Sequence, residues 1–211
     1  MAKVITLLTD FGTQDSYVAQ MKGVLLDLCP EALIVDTTHE IRSQDVSQAA
    51  RMLPHLANTF PAGTIHIAVV DPGVGTKRRV VAAKIFEQIF VLPDNGLLSR
   101  VLDAGPTSWC VEVDNPRYWR DKVSSTFHGR DIMAPVAAHL ASGVDWQELG
   151  TSCSPDSLVR LKEITFALPS DVTQGILDLV VVDIDRFGNI ILNATTSVPT
   201  TRERKVPSSA R

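Results

Sequence analysis

Two loops of this chain combine ionisable side chains with glycine: Asp71-Pro72-Gly73-Val74-Gly75-Thr76-Lys77-Arg78-Arg79 and Ser125-Thr126-Phe127-His128-Gly129-Arg130-Asp131. A carboxylate, a guanidinium and an imidazole offered from two loops can orient and deprotonate a small polar reactant. Charged turns held by ion pairs use the same residue types, so one such loop decides little. The pattern recurs, however, at Asp10, Asp36/His39, Asp71/Arg78, Asp94/Asn95 and His128/Asp131. If the preceding strands are parallel, these loops share one edge of a sheet and can converge on a single crevice. Carboxylates and amides without a glycine-rich phosphate cradle suit the hydroxyls of a sugar or nucleoside.

Several chemistries lack their signatures. The chain has no GxGxxG and no GxxxxGK[ST], and Gly73-Val74-Gly75-Thr76-Lys77 matches only half of the latter. There is no GxSxG for a serine hydrolase. Asp and His loops could hold a metal, but no HxxxH or HExxH spacing occurs, and Arg78, Arg79 and Arg130 would repel a cation. The expectation is no metal and no cofactor. His55 at a helix end, His139 on the helix after the His128 loop and His66 within a strand read as structural.

The elements that must position these loops are legible from periodicity. Val4–Leu8, Ala32–Val35, Thr64–Val70, Val80–Ile85, Ile89–Leu92 and Cys110–Val113 are apolar runs of strand length. Tyr17–Leu28 repeats at helical spacing and stops at Pro30. Ser43 could cap a helix through Leu53, with Pro54 ending or kinking it. Leu97–Leu102 reads as a helix, and Asp131 opens another that runs through Ala141, its N-terminus presenting free N–H groups beside Gly129. Strands alternating with helices imply an α/β domain with a mostly parallel, helix-covered sheet over residues 1–150. Residues 151–172 read as a connection and 173–194 as the start of a small β-domain, with a hairpin turning at Asp185-Arg186-Phe187-Gly188-Asn189. Residues 195–211 read as a polar, disordered tail.

The chain has 211 residues, enough to bury a sizeable core, and a formal net charge of -4, which argues against a nucleic-acid partner. Cys29, Cys110 and Cys153, without CxxC spacing, suit reduced thiols in a cytoplasm. No signal-peptide pattern and no apolar run of membrane-spanning length is present, so the expectation is a cytoplasmic protein with no membrane partner.

The motifs together resemble a known family. Thr9-Asp10-Phe11-Gly12, Asp15-Ser16-Tyr17-Val18, Met21-Lys22-Gly23, Val35-Asp36 and His39-Glu40-Ile41 carry the first part of the likeness. Val70 to Thr76, Pro93-Asp94-Asn95-Gly96-Leu97-Leu98 and Thr126-Phe127-His128-Gly129-Arg130-Asp131 carry the rest. In this order they resemble the S-adenosyl-L-methionine hydrolase (adenosine-forming) family, the SAM hydroxide adenosyltransferases, relatives of the fluorinase and chlorinase. The likeness spans nearly all of residues 3–150 and resumes at Asp185–Asn189.

The resemblance implies hydrolysis of S-adenosyl-L-methionine to adenosine and L-methionine without metal or redox cofactor. It maps the catalytic Asp, Arg and His onto Asp71, Arg78 and His128. Halogenating relatives lack that triad, so its presence implies water as nucleophile. Asp10 matches the carboxylate that grips the ribose hydroxyls, and Phe127 and Gly129 match positions against the substrate. Asp185 matches a contact to the methionine amino group, and Phe187 and Asn189 match the adenine site. The family's homotrimers, with sites between subunits, imply the same assembly here. Past Asn193 the chain departs from the pattern, so the small β C-terminal domain is expected to be truncated. Two alternatives stay open on residues alone: a non-catalytic binder of adenosine or S-adenosylmethionine, and a metal-dependent nucleotide hydrolase.

Overall fold

The six apolar runs form β1 (Val4–Thr9), β2 (Leu33–Thr38), β3 (Ile65–Val69), β4 (Val80–Ile85), β5 (Gln88–Pro93) and β6 (Thr107–Glu112) of one seven-stranded sheet, completed by the short polar strand β7 (Thr151–Ser152). The computed structural model describes residues 3–162, 166–168 and 179–196, and the chain divides into units 1–161 and 162–211. Spatial order in the first unit is β2-β1-β3-β5-β4-β6-β7. The β2-β1-β3-β5 block is parallel, as expected for a mostly parallel sheet. Its central strand β3 is buried along its whole length, which is what covering on both faces requires.

Side chains of successive strand residues enter opposite layers. Ile5, Leu7, Ile67 and Val69 pack with Val18, Met21 and Leu25 of α1 (Tyr17–Leu28) and with Val136 and Leu140 of α4 (Ala134–Ala141). Leu8, Ala68 and Val70 pack instead with Ala49 and Leu53 of α2 (Val46–Thr59) and Val101 of α3 (Ser99–Ala104). The sheet is therefore sandwiched between two helical layers.

Strand β4 is the exception to the parallel pattern, pairing antiparallel with both β5 and β6. Its first residue, Val80, faces Pro93 at the end of β5. The residues just before β4, Arg78 and Arg79, thus reach the same sheet edge as Asp71 and Asp94, which follow strands of the opposite direction. The loop residues gather because an antiparallel strand starts where its parallel neighbours end.

Some local expectations are corrected. Asp45, not Ser43, caps α2 by accepting from the Gln48 N–H at 2.8 Å. The helix does not end at Pro54 but continues to Thr59, because Met52, Leu53, Leu56 and Ala57 pack against the core on both sides of the proline; His55 accordingly lies within it. Asp131 opens no helix: it is fully buried inside a π-helical turn, Gly129–Met133, that leads into α4. Within the stretch read as a connection, Thr151–Ser152 adds the edge strand β7, and β8 (Phe166–Leu168) forms part of the second unit.

In the second unit, β9 (Val181–Ile184) and β10 (Ile190–Leu192) form an antiparallel hairpin, and β8 pairs in parallel with β11 (Ala194–Thr196). Thr195 and Thr196 therefore belong to a strand rather than to a disordered tail, since β8 gives them a ladder partner. Residues 197–211 lie outside the described residues, as does most of 163–178. Among the described residues no helix is long and apolar enough to cross a membrane.

Candidate active site

Asp71 stands two residues beyond β3, at the carboxyl edge of the sheet. Its loop turns back at once: Val74 N–H donates to the Asp71 carbonyl at 3.2 Å and the Thr76 hydroxyl to the Gly73 carbonyl at 2.7 Å. Gly75 has φ of +76°, and a Cβ there would fall 2.3 Å from the Ser125 carbonyl oxygen. Only glycine combines that backbone with so close an approach, so Gly75 is what lets the two loops touch.

Arg78 is the bridge between them. Its Nε donates to both Asp71 carboxylate oxygens, at 3.0 and 2.8 Å, and its Nη2 forms an ion pair with Oδ2. The same Nη2 lies 2.8 Å from His128 Nδ1. Only 9% and 5% of the Arg78 and Asp71 side chains are exposed, so water competes little for this pair. A guanidinium has no acceptor, so His128 Nδ1 must accept and a neutral ring carries its proton on Nε2. Burial, reinforced by the positive charge of Arg78, holds the His128 pKa below the usual histidine range. A half-buried neutral imidazole with a fixed tautomer results.

Next to this bridge is a cavity of about 320 Å³ lined by Asp10, Phe11, Tyr17, Gln44, Asp71, Thr126, Phe127, His128 and Gly129, among others. That size suits a small organic ligand. Asp10 accepts from the Gln44 N–H at 2.8 Å, and Gln44 holds a left-handed φ of +64° to make the contact. Phe127 meets Phe11 and Tyr17 edge-on, and those two rings are tilted against each other, at centroid separations of 5.4 to 5.9 Å, forming an aromatic wall. Arg130 lies over Phe127 at 4.8 Å. Gly129 fits a slot in which a Cβ would be 3.3 Å from both Met21 and Val69.

The remaining acids of the five loops face elsewhere. Asp131 accepts from Ser124 N–H at 2.9 Å and from Arg130 Nε at 2.7 Å, with Arg120 at 3.4 Å. Burial alone would raise its pKa, but the Arg130 and Ser124 hydrogen bonds lower it. It pins the 124–130 loop from inside instead of meeting a ligand. Asp36 accepts from Lys22 and sits 3.1 Å from His39, whose Nδ1 is 2.9 Å from the Thr9 hydroxyl. Asp94 pairs with Arg79 and accepts from Val159 N–H, while Asn95 donates to the Val70 carbonyl. The expected convergence of five loops is therefore limited to three, those bearing Asp10, Asp71/Arg78 and His128. His66 is a core residue, 2.8 Å from the Thr6 hydroxyl and stacked on Phe90, and His139 packs edge-on to Tyr118.

Asp185, Phe187 and Asn189 lie in the second unit and are described within it. The Asp185 carboxylate accepts from Phe187 N–H, Asn189 N–H and Asn189 Nδ2 at 2.9, 2.8 and 2.7 Å, which closes the hairpin turn. Those bonds hold its pKa below the usual carboxylate range. The Phe187 side chain points into solvent, 89% exposed.

Sequence reasoning missed Tyr17 and Gln44 as cavity residues. Tyr17 is the first residue of an apolar helical repeat, and nothing in that repeat says its ring turns toward Phe11. Gln44 is placed by a backbone conformation that carries no glycine signal. A larger cleft of about 790 Å³, beside Gln20, Asp27, Trp119, Arg120 and Lys122, has none of Asp71, Arg78 or His128 on its walls.

The fold and this pocket define an α/β domain with an Asp–Arg–His cluster at the carboxyl edge of its sheet. Residues 5–150 match the family model of the SAM hydroxide adenosyltransferase N-terminal domain, and the chain belongs to that family. An (R)-S-adenosyl-L-methionine hydrolase of Salinispora arenicola is 41% identical over 195 residues, an alignment covering 90% of this chain and 72% of that protein. A hydrolase of the same name from Thermus thermophilus is 40% identical, covering 89% and 72%. A fluorinase of an Actinoplanes species is 34% identical, covering 90% and 71%. A solved structure of a conserved protein from Thermotoga maritima superposes with a TM-score of 0.79 at 35% identity, covering 90% of this chain and 70% of that one.

Proposed function

We propose that this protein hydrolyses S-adenosyl-L-methionine to adenosine and L-methionine, by attack of water on the ribose 5′ carbon. The observation that carries the reading is Arg78 bridging Asp71 and His128 at the wall of a nucleoside-sized pocket. Relatives at about 40% identity named for this reaction support it.

The sulfonium is already a good leaving group, so the barrier lies chiefly in aligning a weak nucleophile. Holding water in line about 3–3.5 Å from the 5′ carbon supplies several kcal/mol. In this reading His128 Nε2–H donates to the attacking oxygen and steadies its growing hydroxide character. Arg78 fixes that tautomer, and Asp71 aims Arg78. As the new C–O bond forms, the C–S bond breaks and methionine leaves as a neutral thioether. One water proton stays on the 5′ hydroxyl of adenosine, and Asp71 accepts the other and passes it to solvent. Attack neutralises positive charge at sulfur, so the aromatic wall of Phe11, Tyr17 and Phe127 helps by excluding water.

Asp10 accepts from the ribose hydroxyls, and Phe127 and Gly129 bound the nucleoside. Asp185 binds the methionine amino group, with Phe187 and Asn189 serving adenine. The homotrimer implied by the resemblance, with sites between subunits, would cover the exposed apolar residues Val181, Ile184, Phe187 and Ile190 of the hairpin. A cytoplasmic setting suits the three unbonded cysteines.

The test is incubation of purified protein with S-adenosylmethionine in ¹⁸O-labelled water, with and without EDTA, and separation of products. Equimolar adenosine and methionine, with the label in adenosine only and no effect of EDTA, is the expected result. Absence of turnover, or activity lost with EDTA and restored by a divalent ion, would refute it.

A further inference from the structure

Cys110 and Cys153 are 43 positions apart, yet their sulfurs are 2.8 Å from each other. Cys110 is in β6, Cys153 follows β7, and the antiparallel register Val111↔Ser152 places them directly opposite. The Cys153 N–H donates to the Cys110 carbonyl at 3.0 Å, continuing the ladder by one pair. Facing residues of such a pair have Cα atoms about 5.5 Å apart, within the range a disulfide spans. The third cysteine, Cys29, is buried elsewhere, behind α1.

Cys153 begins a strap that runs over the sheet edge beside the candidate site. Ser157 accepts from Arg79 through its carbonyl at 2.7 Å, and Val159 N–H donates to Asp94 at 2.8 Å. Arg160 pairs with Asp103, and Leu161 N–H donates to the Ser99 hydroxyl at 2.8 Å. Residues 153–161 are thus held to the sheet by these polar contacts together with apolar contacts of Cys153, Leu158 and Leu161, the last lying against Gly96. A covalent bond at Cys153 would fasten the start of this strap.

We infer that Cys110 and Cys153 are a redox-active pair that forms a reversible intrachain disulfide on exposure to a peroxide, securing the 153–161 strap to the sheet. Cys153 is the half-buried partner and meets the oxidant first. Its thiolate sulfur attacks one peroxide oxygen, the O–O bond breaks, and the departing hydroxide takes a proton to become water. Cys110 sulfur then attacks the Cys153 sulfenic sulfur; an S–S bond forms, the S–O bond breaks, and water leaves carrying the Cys110 proton. Two thiols are oxidised and one peroxide is reduced to two waters. Burial, with the Cys153 sulfur adding to it, pushes the Cys110 thiol pKa up, which fits its part as the partner that waits. Asp94 adds to the rise at Cys110 and Arg79 partly opposes it. Thiol reductants reverse the bond by thiol–disulfide exchange at the half-buried Cys153 sulfur.

The experiment treats the full chain with stoichiometric hydrogen peroxide, then denatures, alkylates and digests it for mass spectrometry. Expected are a peptide joining Cys110 to Cys153, an alkylated Cys29, and loss of the link with dithiothreitol. Amide exchange at residues 153–161 should slow at least about threefold in the oxidised protein, and Cys153→Ser should show neither link nor slowing. Full alkylation of all three cysteines, over-oxidised Cys153 without a link, or a link through Cys29 would overturn the pair. A link that leaves exchange unchanged would overturn the strap's fastening.

Discussion

Replacing Arg78 tests the bridge most directly, because this one side chain makes every contact between Asp71 and His128 described above. Lysine keeps the charge but offers a single ammonium in place of a planar fork, so it can meet Asp71 or His128 and not both in the same geometry. Losing one charge-assisted hydrogen bond removes about 1.5–3 kcal/mol of local interaction. Removing a donor that organises developing charge in other enzymes lowers kcat by about 10²–10³, or roughly 2.7–4 kcal/mol. Arg78→Lys should therefore lower kcat for adenosine release by that factor, with KM changed only severalfold, because Asp10 and the aromatic wall are untouched. Arg78→Gln removes the charge as well. Burial is the larger cause of the depressed His128 pKa and Arg78 the second, so in this variant the imidazole should titrate at higher pH than in the native protein. Chromatography of adenosine gives the first quantity and NMR titration of the ring protons the second. A kcat within about threefold of native in Arg78→Lys, or an unmoved His128 titration in Arg78→Gln, would refute the bridging role.

Other consequences are measurable on the same protein. Burial lowers the His66 pKa to about 4 in the folded state against 6.5 for the free side chain, so the unfolded chain takes up its proton first. The His66 contribution is then complete above about pH 6.5 and falls by up to about 3 kcal/mol as pH drops toward 4; urea unfolding at pH 7, 5.5 and 4.5 should show it, and His66→Phe should flatten that part of the slope. Gly75→Ala puts a Cβ where the Ser125 carbonyl now is, in a left-handed backbone, and should destabilise by about 1–3 kcal/mol while lowering kcat at least tenfold; normal activity and stability in that variant would show that the two loops need not touch. Asp131→Asn leaves the partly exposed Arg130 and the Ser124 N–H without their buried carboxylate and should cost about 1–3 kcal/mol of stability, read as the urea midpoint.

The sequence made the sheet legible because its strands are buried on both faces and therefore read as continuous apolar runs, as Ile65–Val69 shows. It also placed Asp71, Arg78 and His128 as one candidate centre. What it could not distinguish was a strand-end acid that faces the pocket from one that faces the protein. Asp10 and Asp131 look alike as letters beside glycine and aromatic residues. One lines a cavity, while the other is turned inward by an extra residue in a π-helical turn, a register change with no compositional mark. Cys110 and Cys153 were equally silent, since only the antiparallel return of β7 against β6 makes 43 positions of separation irrelevant.

The three arginine–carboxylate pairs at this edge divide the work by burial and by what else each touches. Arg130–Asp131 buries its carboxylate completely and holds the 124–130 loop; Arg79–Asp94 ties the strap through Ser157 and Val159. Arg78–Asp71 alone couples to an imidazole and lines a cavity through its carboxylate. The outer two pairs fix the positions of both loops, so the middle one need not move when substrate arrives. Preorganisation of that kind is what an electrostatic contribution to catalysis requires. It also sets an order of effects: loosening either outer pair should change the His128–Arg78 distance before it changes what the pocket can hold.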